Sequence, residues 1–258
     1  MRYLCKVKYN GASYLGWQKQ DIGPSIQEEI ENILSQLLDE NICIYASGRT
    51  DKGVHAYGQM FHFDTTKEIK DLGKFIYALN RLLSNNIRID EINEVDESFH
   101  ARFSCLNKTY LYKTYIGKDY PFYQDYSWIY YLNVDVNKLE NASKLFLGEH
   151  NFINFTKKKE DEKEFVRTIN FINIIKNNDF IEIEINGNGF MRSMVRMIVG
   201  VLFANASGIV DDKYILDLLD SNERKVTKYN AMQPNQEISQ ETRSSIPCHQ
   251  KQRHRHMI

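Results

Sequence analysis

The chain has 258 residues, 42% hydrophobic and 26% charged, enough for one large core or two smaller ones in an ordinary globular protein. A formal net charge of −1 argues against a protein that simply coats nucleic acid, since any such contact must come from a local basic patch and not from the overall field. Four scattered cysteines, Cys5, Cys43, Cys105 and Cys248, form no C-x-x-C pair, which argues against a zinc site or a disulfide framework.

The N-terminal MRYLCKVKYN alternates without the apolar run of a signal peptide, and the greasiest segment, Met197 to Ala206, is too short to cross a bilayer. A cytoplasmic protein without a membrane partner is expected. Tyr3 to Tyr9 alternates as a strand with Tyr3, Cys5, Val7 and Tyr9 on one face. Residues 25–39 carry a helical stripe, Ile26, Ile30, Ile33, Leu34, Leu37 and Leu38, with Pro24 near the first turn. Ile42 to Ala46 and Gly58 to Phe63 read as strands, 72–84 as a helix, and Ile87 to Val95 as a strand. That order, β-α-β-β-α-β, is the split unit of ferredoxin-like folds.

The second half nearly repeats it. Lys108 to Tyr115 reads as a strand, and Val136 to Leu147 as a helix capped by Gly148. Strands follow at Thr168–Ile175 and Phe180–Ile185, then a helix holding Met191, Met194, Val195, Ile198 and Leu202, then a short one at 211–219. The expectation is an α+β protein of two ferredoxin-like halves, antiparallel sheets flanked by helices, with an active-site cleft between them. The halves divide as residues 1–104 and 105–231. From Met232 periodicity fails, so 232–258 reads as a disordered tail, its His and Arg residues at most a weak phosphate contact.

One loop stands out chemically: GRTDKGVHA, Gly48 to Ala56. By local pattern alone it is a hairpin connection with a solvated aspartate. Yet Asp51 lies between Arg49 and Lys52, a positive setting that favours an ionised carboxylate, the form that nucleophilic or general-base chemistry needs. This loop, with NGASYLGWQKQ (Asn10 to Gln20), SIQ (Ser25 to Gln27), FHARFSCLNKTYLY (Phe99 to Tyr112), LGEHNFINF (Leu147 to Phe155) and FMRSMVRMIVG (Phe190 to Gly200), resembles the tRNA pseudouridine synthase A family over residues 3–231.

The resemblance implies the rest. Asp51 would be the nucleophile, Arg49 would help extrude the target nucleotide, Tyr110 would stack on its base, and Arg196 would pair with the catalytic carboxylate. Packing alternatives exist, because Tyr110 could be a plain sheet residue and Arg196 could snorkel to solvent. The implied substrate is tRNA, at positions 38, 39 and 40 of the anticodon stem-loop, and the implied assembly a homodimer. Neither metal nor other cofactor is required, since the isomerisation oxidises and hydrolyses nothing. Trp17 and Gln18 are candidates for a cleft wall or RNA-facing loop, with core packing as the alternative for Trp17. Lys19, Lys52, Arg102, Lys108 and Arg192 are available to phosphates. Lys157 to Glu164 reads as a solvated loop, and His55 and His100 receive no proton-transfer role.

Two other classes compete. A non-catalytic RNA-binding protein shares the β-α-β-β-α-β layout, but AYGQMFHF fits the aromatic signature of RNA-recognition modules poorly. An aspartate-based hydrolase lacks a second carboxylate at compatible spacing in the motif loops. The departure from the family lies at the end, where a Gly-Leu-x-Leu segment and a closing strand are expected after Lys228 to Ala231 and other residues stand instead. A frame error or degenerate C-terminus fits that change, and an inactivated RNA-binding protein would follow from the missing strand.

Overall fold

The computed structural model describes residues 1–118, 121–123, 126–157, 165–221, 223–230 and 239–240. The first sheet is built from β1 (Arg2–Tyr9), β2 (Ile44–Ala46), β3 (His55–Asp64) and β4 (Ile87–Val95), with α1 (Ile26–Leu38) and α2 (Leu72–Leu82) as crossovers. β1 lies between β3 and β4, and β2 covers the outer edge of β3, with every one of these neighbours antiparallel. That arrangement is consistent with a ferredoxin-like split unit.

The expected β1 face is buried at all four positions, against Ile26, Ile30 and Leu34 of α1. Each such side chain withdrawn from water contributes roughly 1.5–3 kcal/mol. The α1 N-terminus is held by Ser25, whose hydroxyl accepts from Glu28 N–H at 3.3 Å, the usual role of serine at a helix start. Pairing of β1 with β3 shifts register between Val7 and Tyr9. This irregularity lies where β3 emerges from the Asp51 loop.

The second sheet runs β6-β5-β9-β8-β7, with β5 (Lys108–Ile116), β6 (Trp128–Tyr130), β7 (Gly148–Asn151), β8 (Val166–Asn177) and β9 (Phe180–Gly187). Its helices are α3 (Val136–Ser143), α4 (Met194–Ala206) and α5 (Asp212–Leu219). Three expectations change here. The helix from Val136 ends at Ser143 and tightens into a 3₁₀ turn over Lys144–Phe146, so Gly148, with φ of 91°, opens β7 instead of capping a helix. Met191 precedes α4, which begins only after Ser193. β6, a strand the sequence reading does not place, pairs in parallel with Thr114–Ile116 at the edge of β5.

Twelve residues of α4 are buried, and Arg196 is the exception. Of the expected disordered tail, only Ser239–Gln240 are among the described residues. They form β10, paired in parallel with His55–Ala56 and lying alongside β5. Among the described residues no helix is long and apolar enough to cross a membrane.

Candidate active site

The Asp51 loop leaves β2 at Ser47 and enters β3 at His55, and its shape is fixed from below by the segment after β1. Trp17 N–H donates to Thr50 C=O at 3.1 Å and Gly53 N–H to Tyr14 C=O at 3.3 Å. The Tyr9 and Thr50 hydroxyls are hydrogen-bonded at 2.8 Å in a buried setting. Two glycines allow this approach. Gly16 has φ of 108°, and a Cβ there would stand 2.7 Å from the Thr50 carbonyl oxygen, while a Cβ at Gly11 would overlap the Val54 carbonyl. Val54 itself is buried in the core of the second sheet. The loop is therefore pinned to one core by Thr50 and to the other by Val54, and Asp51 projects between them.

Arg196 reaches Asp51 from α4. Its Nη2 lies 3.4 Å from Asp51 Oδ2 and also donates to Ser193 Oγ at 3.0 Å. The Arg196 side chain is 13% exposed and that of Asp51 47%: the cation is covered while the carboxylate stays reachable. The 3.4 Å contact is long for a charge-assisted hydrogen bond, and Oδ1 makes no hydrogen bond among the described residues. One oxygen is thus held and the other left open. Ser193, whose φ is 65°, orients the arginine, a role that its place in the segment Phe190 to Gly200 does not single out.

Tyr110, on β5 opposite Ile185, stands edge-on to Phe190 with ring centroids 4.9 Å apart. Burial pushes its phenol up, and the Asp51 carboxylate adds to the shift, so Tyr110 remains a neutral ring near the carboxylate. The Tyr9 phenol is likewise raised by burial. The structure thus brings Asp51, Arg196 and Tyr110 together. It leaves Arg49 exposed, with no hydrogen bond or ion pair among the described residues.

The other candidates separate. Trp17 is 2% exposed and packs between Tyr9 and Phe61, which is the core reading and not a cleft wall. Gln18 is exposed. Lys19 pairs with Glu28 at 3.8 Å, and Lys52, Arg102 and Arg192 are exposed. Lys108 sits beside Gly48 at the head of the loop. Most of Lys157 to Glu164 lies outside the described residues, as does Cys248. Cys5, Cys43 and Cys105 are free thiols, and among the described residues no three His, Cys, Asp or Glu side chains gather as a metal site.

Residues 6–104 and 142–243 match the family described as tRNA pseudouridine synthase. The chain belongs to this family. Its similarity to individual members spans nearly whole proteins. It is 38% identical over 232 residues to tRNA pseudouridine synthase A 2 of Protochlamydia amoebophila, covering 88% of each chain. It is 34% identical over 232 residues to tRNA pseudouridine synthase A of Staphylococcus carnosus, covering 90% of this chain and 86% of that one. For the enzyme of the same name from a Bacillus species the figures are 38% over 230 residues, 86% and 91%. Membership in the pseudouridine synthase family makes the protein an isomerase. The family match runs to residue 243, past Met232, where the sequence alone ended the resemblance.

Proposed function

We propose that this pseudouridine synthase converts uridine to pseudouridine in the anticodon stem-loop of tRNA, at positions 38, 39 and 40, with Asp51 as the nucleophile. The observation that carries this reading is the half-exposed Asp51 carboxylate, tethered through one oxygen to Arg196 and standing near Tyr110. The reaction breaks the C1′–N1 bond, turns the uracil, and forms a bond from C5 to C1′. The C5 hydrogen leaves as a proton and N1 takes one up, so atoms and electrons balance within the nucleotide. Attack by Asp51 on C1′ and removal of the C2′ proton both need an ionised carboxylate free to approach the sugar, which the open Oδ1 supplies.

A stacked uridine must first be extruded, at a cost of a few kcal/mol. Stacking on Tyr110 returns about 1–3 kcal/mol of that, and Arg49, exposed beside the catalytic residue, assists the extrusion. On the same reading the enzyme is cytoplasmic and acts as a homodimer, one tRNA spanning both subunits.

The test is incubation of purified protein with unmodified tRNA followed by carbodiimide mapping. Pseudouridine at positions 38–40 is expected from the wild type, and Asp51→Asn should bind tRNA but yield no product. Absence of product from the wild type overturns the activity, and wild-type turnover by the Asn variant overturns the nucleophile.

A further inference from the structure

Alternate residues of a strand share a face, so Lys108 and Tyr110 project to the same side of β5. Tyr110 is the residue near Asp51. Lys108 reaches instead to the head of the same loop, its Nζ 3.5 Å from where a Cβ on Gly48 would stand. The Lys108 side chain is largely enclosed, and among the described residues it makes no hydrogen bond and no ion pair with a carboxylate. Burial lowers its pKa, and the charges of Arg102 and Arg167 push the same way, with Cys105 opposing. Arg102 is exposed, its guanidinium 5.8 Å from the centre of the Phe103 ring, and it too has no ion-pair partner among the described residues.

An enclosed ammonium beside another cation and without an anion is costly. Elsewhere on this chain lysines find carboxylates, as Lys8 does with Asp90 at 2.7 Å and Lys113 with Glu182 at 3.1 Å. The arrangement at Lys108 becomes favourable only when a negative ligand arrives, and the ligand of this loop is a polyanion. Two strand residues span about 6.6–6.8 Å, a separation suited to a nucleotide's base on one side chain and its backbone on the other.

We propose that Lys108, with Arg102 at its outer side, is an anion site that takes the RNA phosphate adjoining the target uridine while Tyr110 takes the base. The inference rests on the Asp51 loop being the site of pseudouridine formation. It adds a function for Lys108: anchoring the backbone fixes the sugar, and hence C1′, relative to Asp51.

The experiment measures tRNA affinity of the full chain across a series of KCl concentrations, in the Asp51→Asn background so that no turnover intervenes, with Lys108→Met and Lys108→Arg added. Each phosphate neutralised contributes about 0.7–0.9 to the slope of log K against log[salt]. Lys108→Met should flatten the slope by about that amount and weaken binding about five- to tenfold at 0.1 M salt, the weight of one counterion. Its thermal midpoint should not fall, because an unpaired enclosed charge has been removed, and Lys108→Arg should restore the slope. An RNA carrying a neutral methylphosphonate beside the target should lose affinity for the Lys108-containing protein and lose little more for the Met variant. An unchanged slope in Lys108→Met, or an Arg variant no better than Met, overturns the phosphate site. Since the slope is read without catalysis, that failure is distinct from absence of pseudouridine in the wild-type assay.

Discussion

Asp51 and Arg196 are 145 residues apart in the chain, yet Arg196 Nη2 stands 3.4 Å from Asp51 Oδ2, joining the loop of the first sheet to a helix of the second. With the carboxylate 47% exposed, the pair contributes at most about 1 kcal/mol to stability. If Asp51 is the reacting carboxylate, as proposed, the value of the pair lies in catalysis, where a preorganised charge is worth about 10²-fold or more in kcat. Arg196→Met should therefore leave the melting temperature nearly unchanged and lower single-turnover pseudouridine formation by about that factor. Ser193→Gly keeps the positive φ but removes the hydroxyl that orients Arg196, a hydrogen bond worth about 1 kcal/mol, so turnover should drop about fivefold. Equal loss of stability and activity in Arg196→Met would sink the assignment.

Gly16 is the second lever on Asp51. A methyl group there would stand 2.7 Å from the Thr50 carbonyl oxygen and would be held at φ of 108°. Gly16→Ala should destabilise the protein by about 1–3 kcal/mol through backbone strain. It should also displace Thr50 and with it Asp51, and a shift near 1 Å costs about 10²-fold in rate. The measurement is urea unfolding beside single-turnover kinetics, and an Ala variant with wild-type kcat would show that the loop is not positioned from this side.

The buried Tyr9–Thr50 hydrogen bond at 2.8 Å makes a double-mutant test possible. Tyr9→Phe leaves the Thr50 hydroxyl buried without its partner, at a cost of about 1–3 kcal/mol. Adding Thr50→Val removes the orphaned group and should recover most of that loss. Activity should not recover with stability, because the tether beside Asp51 is still missing. Strictly additive stability effects would show that the two hydroxyls are not coupled.

Much of this fold could be read from the chain. The stripe Ile26, Ile30, Leu34 and the alternation Tyr3, Cys5, Val7, Tyr9 are period signals strong enough to place α1 and β1 within a residue or two. β6 and β7, with three and four residues, are too short to show a period. The periodicity starts α4 too early because Ser193 adopts a left-handed conformation that glycine or asparagine would signal and serine does not. Around the site, GRTDKGVHA marked Asp51 and the resemblance pointed to Tyr110 and Arg196, whereas the anchoring of the loop by Tyr9, Gly16 and Val54 is tertiary and leaves no local pattern. Trp17 shows the same limit: its neighbours suggested an RNA-facing loop, and its ring lies in the core.

His62 gives the fold a pH dependence of definite sign. The ring is buried on β3, its Nδ1 accepts from Ala101 N–H at 3.1 Å, and it stacks on Tyr45 with centroids 5.1 Å apart. Burial, then the charges of Arg2 and His100, lower its pKa to about 4, with Asp64 opposing. The unfolded chain takes up this proton near pH 6.5 and the folded chain does not until about 4. Between those values the unfolded state binds more protons, so stability falls as pH falls and is flat above the unfolded value. The expected loss from pH 8 to pH 5 is about 2 kcal/mol, a range in which most carboxylates stay ionised. His62→Asn can still accept from Ala101 N–H but cannot titrate. It should be less stable at pH 8 through lost packing, yet show a flatter profile down to pH 5 in denaturant unfolding. If both proteins lose the same free energy over that range, the acid sensitivity belongs to another group, and the depressed His62 pKa is refuted.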